Sequence, residues 1–128
     1  VPAINLSKVD QSPSAFENAS KLVTVENLIL PSTPFPVSIS AMFYQCGALE
    51  NITITGTIQN TGFDLHWSTK LTIESVTSIL TALSKDSSVA SGKSITFPTA
   101  AQAKIQADTT AKGQYDAAIA AGWTIAFV

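Results

Sequence analysis

The sequence is poor in cysteine, in charged residues and in long apolar runs. Cys46 is its only cysteine, and no histidine stands near it at metal-ligand spacing, so an internal disulfide and a zinc site are excluded within the chain. We interpret its thiol as buried and inert, with a reactive thiol as the alternative. Only 12% of the 128 residues are charged, and the seven lysines and arginines are scattered. Nothing therefore concentrates the positive charge that a phosphate backbone requires, and we expect no nucleic-acid partner.

Apolar residues make up 45% of the chain but never form a run of the roughly 20 residues that spans a bilayer. We therefore expect no membrane span. The length and apolar content fit a single domain over residues 1–128 that buries about two thirds of the surface of the unfolded chain. The sequence begins at Val1 with a strand-like PAINLSKV, and we expect it to be a fragment of a longer chain with further repeats upstream.

Side chains that could perform catalysis are few. The chain has one histidine, His66, and nine scattered carboxylates. Asp64 could join His66 in a catalytic triad, but no nucleophile stands at a recognisable spacing from the pair. None of the six glycines falls in a dinucleotide-binding or P-loop pattern. We therefore expect no enzyme, no cofactor and no metal site.

Apolar residues recur in pairs separated by one residue, the pattern of a short strand with one buried face. The first three pairs are evenly spaced along the chain, and the spacing becomes irregular toward the C-terminus. Such self-similarity predicts a solenoid in which short parallel strands stack in sequence order. The pairs are Ile4/Leu6, Leu28/Leu30, Ile52/Ile54, Phe63/Leu65, Ile95/Phe97 and Ile125/Phe127.

Before two of these pairs the apolar period is three instead of two. A period of three predicts a short helical or 3-10 segment directed at the same core. In the first of these repeats, three extra residues separate the segment from the pair at Leu28. PSTPFPVSIS, with three prolines in six residues, predicts an extended connector. The three-spaced stripes are Phe16, Ala19 and Leu22 in one repeat and Phe43, Cys46 and Leu49 in the next.

From residue 71 the connections become longer and helical. LTIESVTSILTALS predicts a helix that Thr72 caps, with a hydrophobic staple between Leu71 and Val76. Its predicted buried face holds Val76, Ile79, Leu80 and Leu83.

Two further helical segments are predicted after the strand SITFP. Thr99 and Gln102 are predicted to form a capping box at the start of a short helical turn. A last helix near residues 110–121 is predicted to end at Gly122 in the C′ position. The residues predicted to lie on its buried stripe are Tyr115, Ala118 and Ile119.

Alternation along the strands also identifies a candidate binding face, because residues that flank each inward pair point out of the sheet. These positions hold mainly short hydroxyl and amide side chains, which can hydrogen-bond a glycan or an extended protein segment, although any solvated sheet face has the same composition. Trp67 could stack on a sugar or a peptide side chain, or could cover the rim of the sheet. The candidate binding residues are Asn51, Thr53, Asp64, His66 and Trp67.

AFENASKL…LILP and MFYQCGALENITI resemble the BspA-type leucine-rich repeat, whose pattern is A-F-x-x-C-x-x-L-x-x-I-x-I-P. Met42 replaces the alanine of that pattern, and Thr55 replaces its proline. The region from STKLTIESVTSILTAL to AAGWTIAF resembles the unit that closes such arrays in proteins of gut bacteria and their phages.

The resemblance implies an α/β fold: a right-handed leucine-rich-repeat solenoid with a short-stranded parallel sheet and with helical or 3-10 connections on the other face. Short irregular repeats then occupy residues 1–70, and longer helical repeats that close the array occupy residues 71–128.

The resemblance also implies recognition or adhesion and no catalysis. The leading hypothesis is a module of a bacterial cell-surface protein that binds a protein or glycan partner in an extracellular or cell-surface location. The second is a phage virion component, such as a tail or baseplate accessory. The third is a structural cap that ends a longer repeat array and binds nothing itself. A secretion signal or wall anchor upstream would favour the first hypothesis, and a virion-attachment segment would favour the second.

Overall fold

The computed structural model describes residues 4–5, 16–29, 42–55, 57–58, 63–83 and 94–128. Within them the fold is mixed α/β, with six short strands and three helices. The predicted strand positions Leu6 and Leu30 and the proline-rich connector lie outside the described residues. The elements are β1 (Ile4–Asn5), β2 (Thr24–Ile29), β3 (Asn51–Thr55), β4 (Phe63–Asp64), α1 (Ile73–Ala82), β5 (Ser94–Phe97), α2 (Thr99–Ala107), α3 (Thr109–Ala120) and β6 (Thr124–Phe127).

The strands form two three-stranded sheets, in the orders β1-β2-β3 and β4-β5-β6. Every pair is parallel, and within each sheet the strands follow chain order, as the repeat pattern predicts. The six predicted strand pairs suggest one continuous stack, but in the described part of the chain β3 and β4 belong to different sheets. An isolated parallel bridge joins Ile58 to Leu83 after the first sheet ends.

The register of the first sheet follows the predicted spacing only between its first two strands. Ile4 pairs with Leu28, the equivalent position of the next repeat, as expected. Leu28 then pairs with Ile54 instead of Ile52, and Val25 pairs with Ile52. Val25 is fully buried, so the strand begins earlier than its sequence pattern indicates. The three extra residues expected before the strand are therefore part of it.

A bulge between Val25 and Leu28 accommodates the extra residue of β2. Asn27 adopts a left-handed backbone conformation there, with φ of 52°. Its backbone N–H donates to the Thr53 hydroxyl on β3 at 2.8 Å, which holds the bulge against the neighbouring strand.

In the second sheet the register matches the predicted pairs. Phe63 pairs with Ile95, which pairs with Ile125, and Phe97 pairs with Phe127. The Leu65 N–H donates to the Thr96 carbonyl at 2.8 Å and extends the contact of the first two strands by one residue. The rings of Phe97 and Phe127 stack with their centroids 6.2 Å apart.

Three turns with the same spacing stack on one another beside the sheets. In each turn the backbone N–H of a residue donates to the carbonyl of the apolar residue three positions earlier, as in a 3-10 segment. This confirms the two predicted three-spaced segments and adds a third turn that the apolar pattern did not indicate. The stacked positions are Phe16, Ala19 and Leu22, then Phe43, Cys46 and Leu49, then Leu65, Ser68 and Leu71.

Direct contacts hold the three turns together. The Phe16 and Phe43 rings stack with centroids 5.2 Å apart, and the Asn18 N–H donates to the Tyr44 carbonyl at 2.7 Å. The buried Ser68 hydroxyl donates to the Cys46 carbonyl at 3.0 Å. The second turn is therefore fixed on both of its sides.

Helix α1 begins where a strand would follow the third turn. Thr72 caps it through a 3.2 Å hydrogen bond from the Ser75 N–H, as predicted. The helix lies along the edge of β3, where the Ser75 hydroxyl accepts from the Ile52 N–H at 2.9 Å and the Ser78 hydroxyl accepts from the Ile54 N–H at 3.1 Å. Two serines one turn apart thus replace a fourth strand, and the first sheet ends there. The predicted buried face of α1 is confirmed at Val76, Ile79, Leu80 and Leu83.

The starts of the last two helices differ from the predictions. Thr99 is already helical after Pro98, and no side chain caps α2, so the predicted capping box of Thr99 and Gln102 is wrong. Asp108 ends α2 and caps α3, where its carboxylate accepts from the Ala111 N–H at 2.9 Å.

The predicted buried stripe of the last helix is confirmed at Ala118 and in part at Tyr115, but not at Ile119. Ala111 and Ala118 are buried and Tyr115 packs partly against the core. Ile119, in contrast, is 43% exposed, so its predicted place on the buried stripe is wrong. The predicted end is confirmed, since Gly122 has φ of 99°.

Candidate functional site

The five predicted binding residues fall into two separate groups. Asn51 and Thr53 lie on β3 at the end of the first sheet, whereas Asp64 lies on β4 in the second. His66 and Trp67 follow Asp64 in the third stacked turn. We expected Asn51, Thr53, Asp64 and His66 on neighbouring strands of one sheet, with Trp67 at the strand end. Among the described residues, β3 and β4 instead belong to different sheets, and helix α1 covers the edge of β3.

The first group borders a shallow groove of about 290 Å³ beside the first turn of α1. Both predicted side chains are exposed, but each has a partner within the sheet. Thr53 accepts from the Asn27 N–H, and the Asn51 amide lies 3.5 Å from the Thr24 hydroxyl. The groove residues are Thr24, Val25, Glu26, Asn51, Ile52, Thr53, Thr72, Glu74 and Ser75.

In the second group, Asp64 holds His66 in a fixed position. One carboxylate oxygen of Asp64 accepts from the His66 backbone N–H at 3.0 Å and lies 2.7 Å from the His66 Nδ1. Both side chains are about one third exposed, at 31% each. Two hydrogen bonds to the same residue orient the imidazole ring and direct its Nε2 away from Asp64.

Three aromatic rings form a row at this point. The His66 and Trp67 rings lie 4.8 Å apart, and the Tyr44 and Trp67 rings meet edge to face at 5.5 Å. Tyr44 is 39% exposed and Trp67 is 38% exposed, although rings of this size are usually more deeply buried. Tyr44 was not among the predicted site residues.

The stacking of the turns explains this grouping. Two residues of each turn stand between its first and second stacked positions, and in all three turns they lie at the surface. We call this surface the turn face. Its members are Glu17 and Asn18 from the first turn, Tyr44 and Gln45 from the second, and His66 and Trp67 from the third. Aligning Leu65, Ser68 and Leu71 with the two earlier stripes would have identified it from the sequence.

Two positions of the turn face have an uncommon backbone conformation. Asn18 has φ of 62° and Gln45 has φ of 59°, both in the left-handed region. Asparagine tolerates this region well, but glutamine does so less readily, and glycine would adopt it without steric cost. A glutamine at this position therefore displays its side chain at some expense of stability.

A larger groove of about 480 Å³ lies between α1, α3 and the end of β3. Its two carboxylates, Glu74 and Asp108, stand in the first turn of α1 and at the N-cap of α3, where negative charge stabilises a helix. The hydroxyls of Thr77 and Thr81 donate to carbonyls four residues earlier in the same helix. The polar groups of this groove are thus explained by the helices that carry them.

The described residues contain no cluster of the side chains that usually bind metal ions. Across them, no three histidine, cysteine, aspartate or glutamate side chains come close enough to hold a metal ion. Within the same residues, the Asp64 carboxylate hydrogen-bonds the His66 ring, and neither side chain hydrogen-bonds a hydroxyl or thiol that could act as a nucleophile. No described helix is both long and apolar enough to cross a membrane.

Cys46 is fully buried, which confirms its interpretation as an enclosed thiol. Burial raises the pKa of the thiol, and a backbone hydrogen bond offsets this only in part.

Comparisons with known proteins return no match. No protein-family model, no curated protein and no solved structure matches the chain at a significant level.

Proposed function

We propose that the chain is a non-enzymatic recognition or adhesion module of a bacterial cell-surface protein and that it binds its partner through the turn face. The observation that carries this proposal is the exposed row of His66, Trp67 and Tyr44 beside the oriented carboxylate of Asp64. Exposed aromatic side chains on a rigid backbone are enriched at recognition sites, because they offer apolar area at little cost in conformational entropy. The location at the bacterial surface is proposed from the resemblance of MFYQCGALENITI to BspA-type repeats.

The turn face is a better candidate than the sheet face of Asn51 and Thr53. The Thr53 hydroxyl already accepts a hydrogen bond that holds the bulge of β2, so it is less available to bind a ligand. The turn face combines two exposed aromatic rings with amide and carboxylate groups on three consecutive turns. Repeat scaffolds commonly use such equivalent positions of successive repeats as an extended binding surface.

Binding to whole bacterial cells and to isolated cell-wall fractions tests the proposal. We expect the labelled protein to bind at least one of these surfaces and Trp67→Ala and Tyr44→Ala to weaken that binding by about tenfold or more, as for an aromatic hot spot. Ile119→Ala is the matched control, because Ile119 is similarly exposed but lies on α3. Binding that survives both aromatic substitutions, or the absence of binding to any surface, would refute the proposal.

A structural cap is the second candidate function, and helix α1 favours it. Ser75 and Ser78 satisfy backbone N–H groups of β3 that would otherwise pair with another strand, so the first sheet cannot grow in that direction. A chain that serves only as a cap would bind none of the cell-wall fractions, and neither would its variants with substitutions on the turn face. The virion hypothesis rests on the same resemblance. Because a virion component that attaches to its host would also bind cell walls, an upstream virion-attachment segment, and not cell-wall binding, is the feature that would favour it.

A further inference from the structure

We infer that the ligand of the turn face is a neutral glycan whose pyranose rings pack against Trp67 and Tyr44. This inference rests on the proposed function and names the class of the partner. Pyranose rings present apolar C–H faces and a rim of hydroxyls, so they fit sites that combine aromatic surface with mixed hydrogen-bonding groups. The turn face has both features within three adjacent turns.

The aromatic part of the turn face is continuous and fixed. Trp67 contacts Tyr44 on one side and His66 on the other, at 5.5 and 4.8 Å between ring centroids. The Tyr44 carbonyl accepts from the Asn18 N–H, and the Asp64 carboxylate fixes His66. Because these contacts hold the rings before a ligand arrives, little conformational entropy is lost on binding.

The polar part of the turn face offers donors as well as acceptors. The amides of Asn18 and Gln45 each provide both, and the Tyr44 hydroxyl does the same. No lysine stands among the six residues, and the one histidine is paired with a carboxylate. The one carboxylate among the six, Glu17, is exposed and can accept from ligand hydroxyls, and it disfavours an anionic ligand. A ligand with many hydroxyls and no net charge matches this inventory better than an anionic one.

A peptide bound by strand addition is disfavoured here, because one backbone donor in each turn is already used within that turn. The Ala19, Cys46 and Ser68 N–H groups donate to carbonyls inside their own turns. Main-chain pairing, which supplies much of the affinity in strand addition, therefore has no donors at these three positions.

Gln45 provides an independent reason to assign a ligand to this surface. Its side chain stands at a left-handed position that glycine would occupy with less strain. Backbone strain of this kind is commonly found at functional sites, where the strained residue is retained for its function despite the loss of stability. An amide on the middle turn next to Tyr44 and Trp67 is placed to hydrogen-bond the hydroxyls of a stacked sugar.

Saturation-transfer NMR with a pool of neutral oligosaccharides tests the inference, using cellohexaose, chitohexaose, maltohexaose and mannohexaose, with a pool of mixed-sequence hexapeptides as the comparison. We expect transfer to the ring protons of at least one oligosaccharide and to no peptide. Trp67→Ala and Tyr44→Ala should weaken the affinity for that sugar by about tenfold. Gln45→Gly should raise the melting temperature yet weaken sugar binding by about threefold or more, a combination that a purely structural role would not produce.

Competition on cells separates the inference from the proposed function. If saturating sugar displaces the protein from cell walls, both stand. If the protein binds cells through Trp67 but sugar does not displace it and protease treatment of the cells abolishes binding, the partner is a protein, and the glycan inference fails while the proposed function stands. If Gln45→Gly leaves sugar affinity unchanged, or if no sugar shows transfer, the glycan inference also fails.

Discussion

Among single residues, Cys46 lies at the point where two stacked turns meet. Its thiol donates to the Phe16 carbonyl at 3.0 Å, and its own carbonyl accepts from Ser68. Burial raises the pKa of the thiol, so less thiolate exists in the folded protein than in the unfolded chain at the same pH. The residue therefore has a packing role, which its position in an apolar stripe predicts.

Cys46 should resist an aromatic disulfide reagent at neutral pH and react only as the protein unfolds. The thiolate is the reactive form, and both burial and the raised pKa reduce its availability. The same shift requires the stability to fall as the pH rises past the ordinary thiol pKa of roughly 8.5, because the unfolded chain loses its proton first. Labelling rates across a denaturant series test this, and rapid labelling without denaturant would place the thiol at the surface.

Two glycines should respond to alanine in opposite directions. Gly122→Ala should destabilise the protein by about 1 kcal/mol, because an alanine at φ of 99° is strained. Gly113→Ala should stabilise it by roughly 0.5–1 kcal/mol, because Gly113 lies inside α3 and the added Cβ would meet no atom within 4 Å beyond the local backbone of the helix. Urea denaturation measures both, and equal effects would contradict the assigned end of α3.

Residue-scale features were predictable where a local signal exists. Thr72 and Gly122 could be assigned because capping and left-handed positions favour few residue types. Ala118 was placed correctly, but Ile119 was misplaced, because α3 also meets the core through Ala111, which does not stand out in an alanine-rich helix. The cap of α3 at Asp108 was not predicted, because it depends on where α2 ends, which is not a local property.

Among the elements, helix α1 covers the edge of the first parallel sheet, where a further strand would otherwise pair. An uncovered edge strand presents unpaired backbone groups that favour aggregation, and helices are one way to cover it. Here the cover is chemically specific, since Ser75 bonds both the Ile52 N–H and the Glu50 carbonyl. The helix was predictable from its apolar period, but its place beside β3 was not, because that place depends on contacts between residues far apart in the sequence.

Ser75→Ala should destabilise the protein by about 1–3 kcal/mol, the usual cost of leaving a buried donor without a partner. Ser75 is 3% exposed, so water cannot replace the lost hydroxyl readily. Thr81→Ala is the control, because its hydroxyl is exposed and donates only within α1. Amide exchange at Ile52 should accelerate in Ser75→Ala alone, and unchanged exchange there would show that the serine does not cover the strand.

The bulge of β2 marks another limit of sequence reasoning at this scale. The even spacing of the apolar pairs predicts the first strand pair correctly, but one extra residue in β2 shifts the partner of Leu28 from Ile52 to Ile54. The pattern alone cannot show whether extra residues precede a strand or bulge within it. Asn27 was the available signal, because asparagine is enriched at left-handed positions.

Across the whole molecule, the stacked turns join two sheets around one contiguous core. Buried residues run from Val25 through the second turn and α1 to Trp123. The solenoid expected from the repeats remains a prediction, but its parallel strands and stacked turns are present in the described part of the chain. The turn face, which we propose as the site, could not be predicted from the sequence pattern used for the sheet face, because the neighbours of each turn are set by packing and not by sequence distance.

The indole N–H signals of the two tryptophans give the most direct test of the turn face as the recognition surface. Trp67 is 38% exposed on that face, whereas Trp123 is 3% exposed in the core, so each protein sample carries its own control. On titration with a cell-wall fraction or sugar that binds, we expect the indole signal of Trp67 to shift and that of Trp123 to stay, with Trp67→Phe assigning the two. An unmoved Trp67 signal, together with shifted amide signals of Asn51 and Thr53, would contradict recognition by the turn face and would place the binding site on the sheet face.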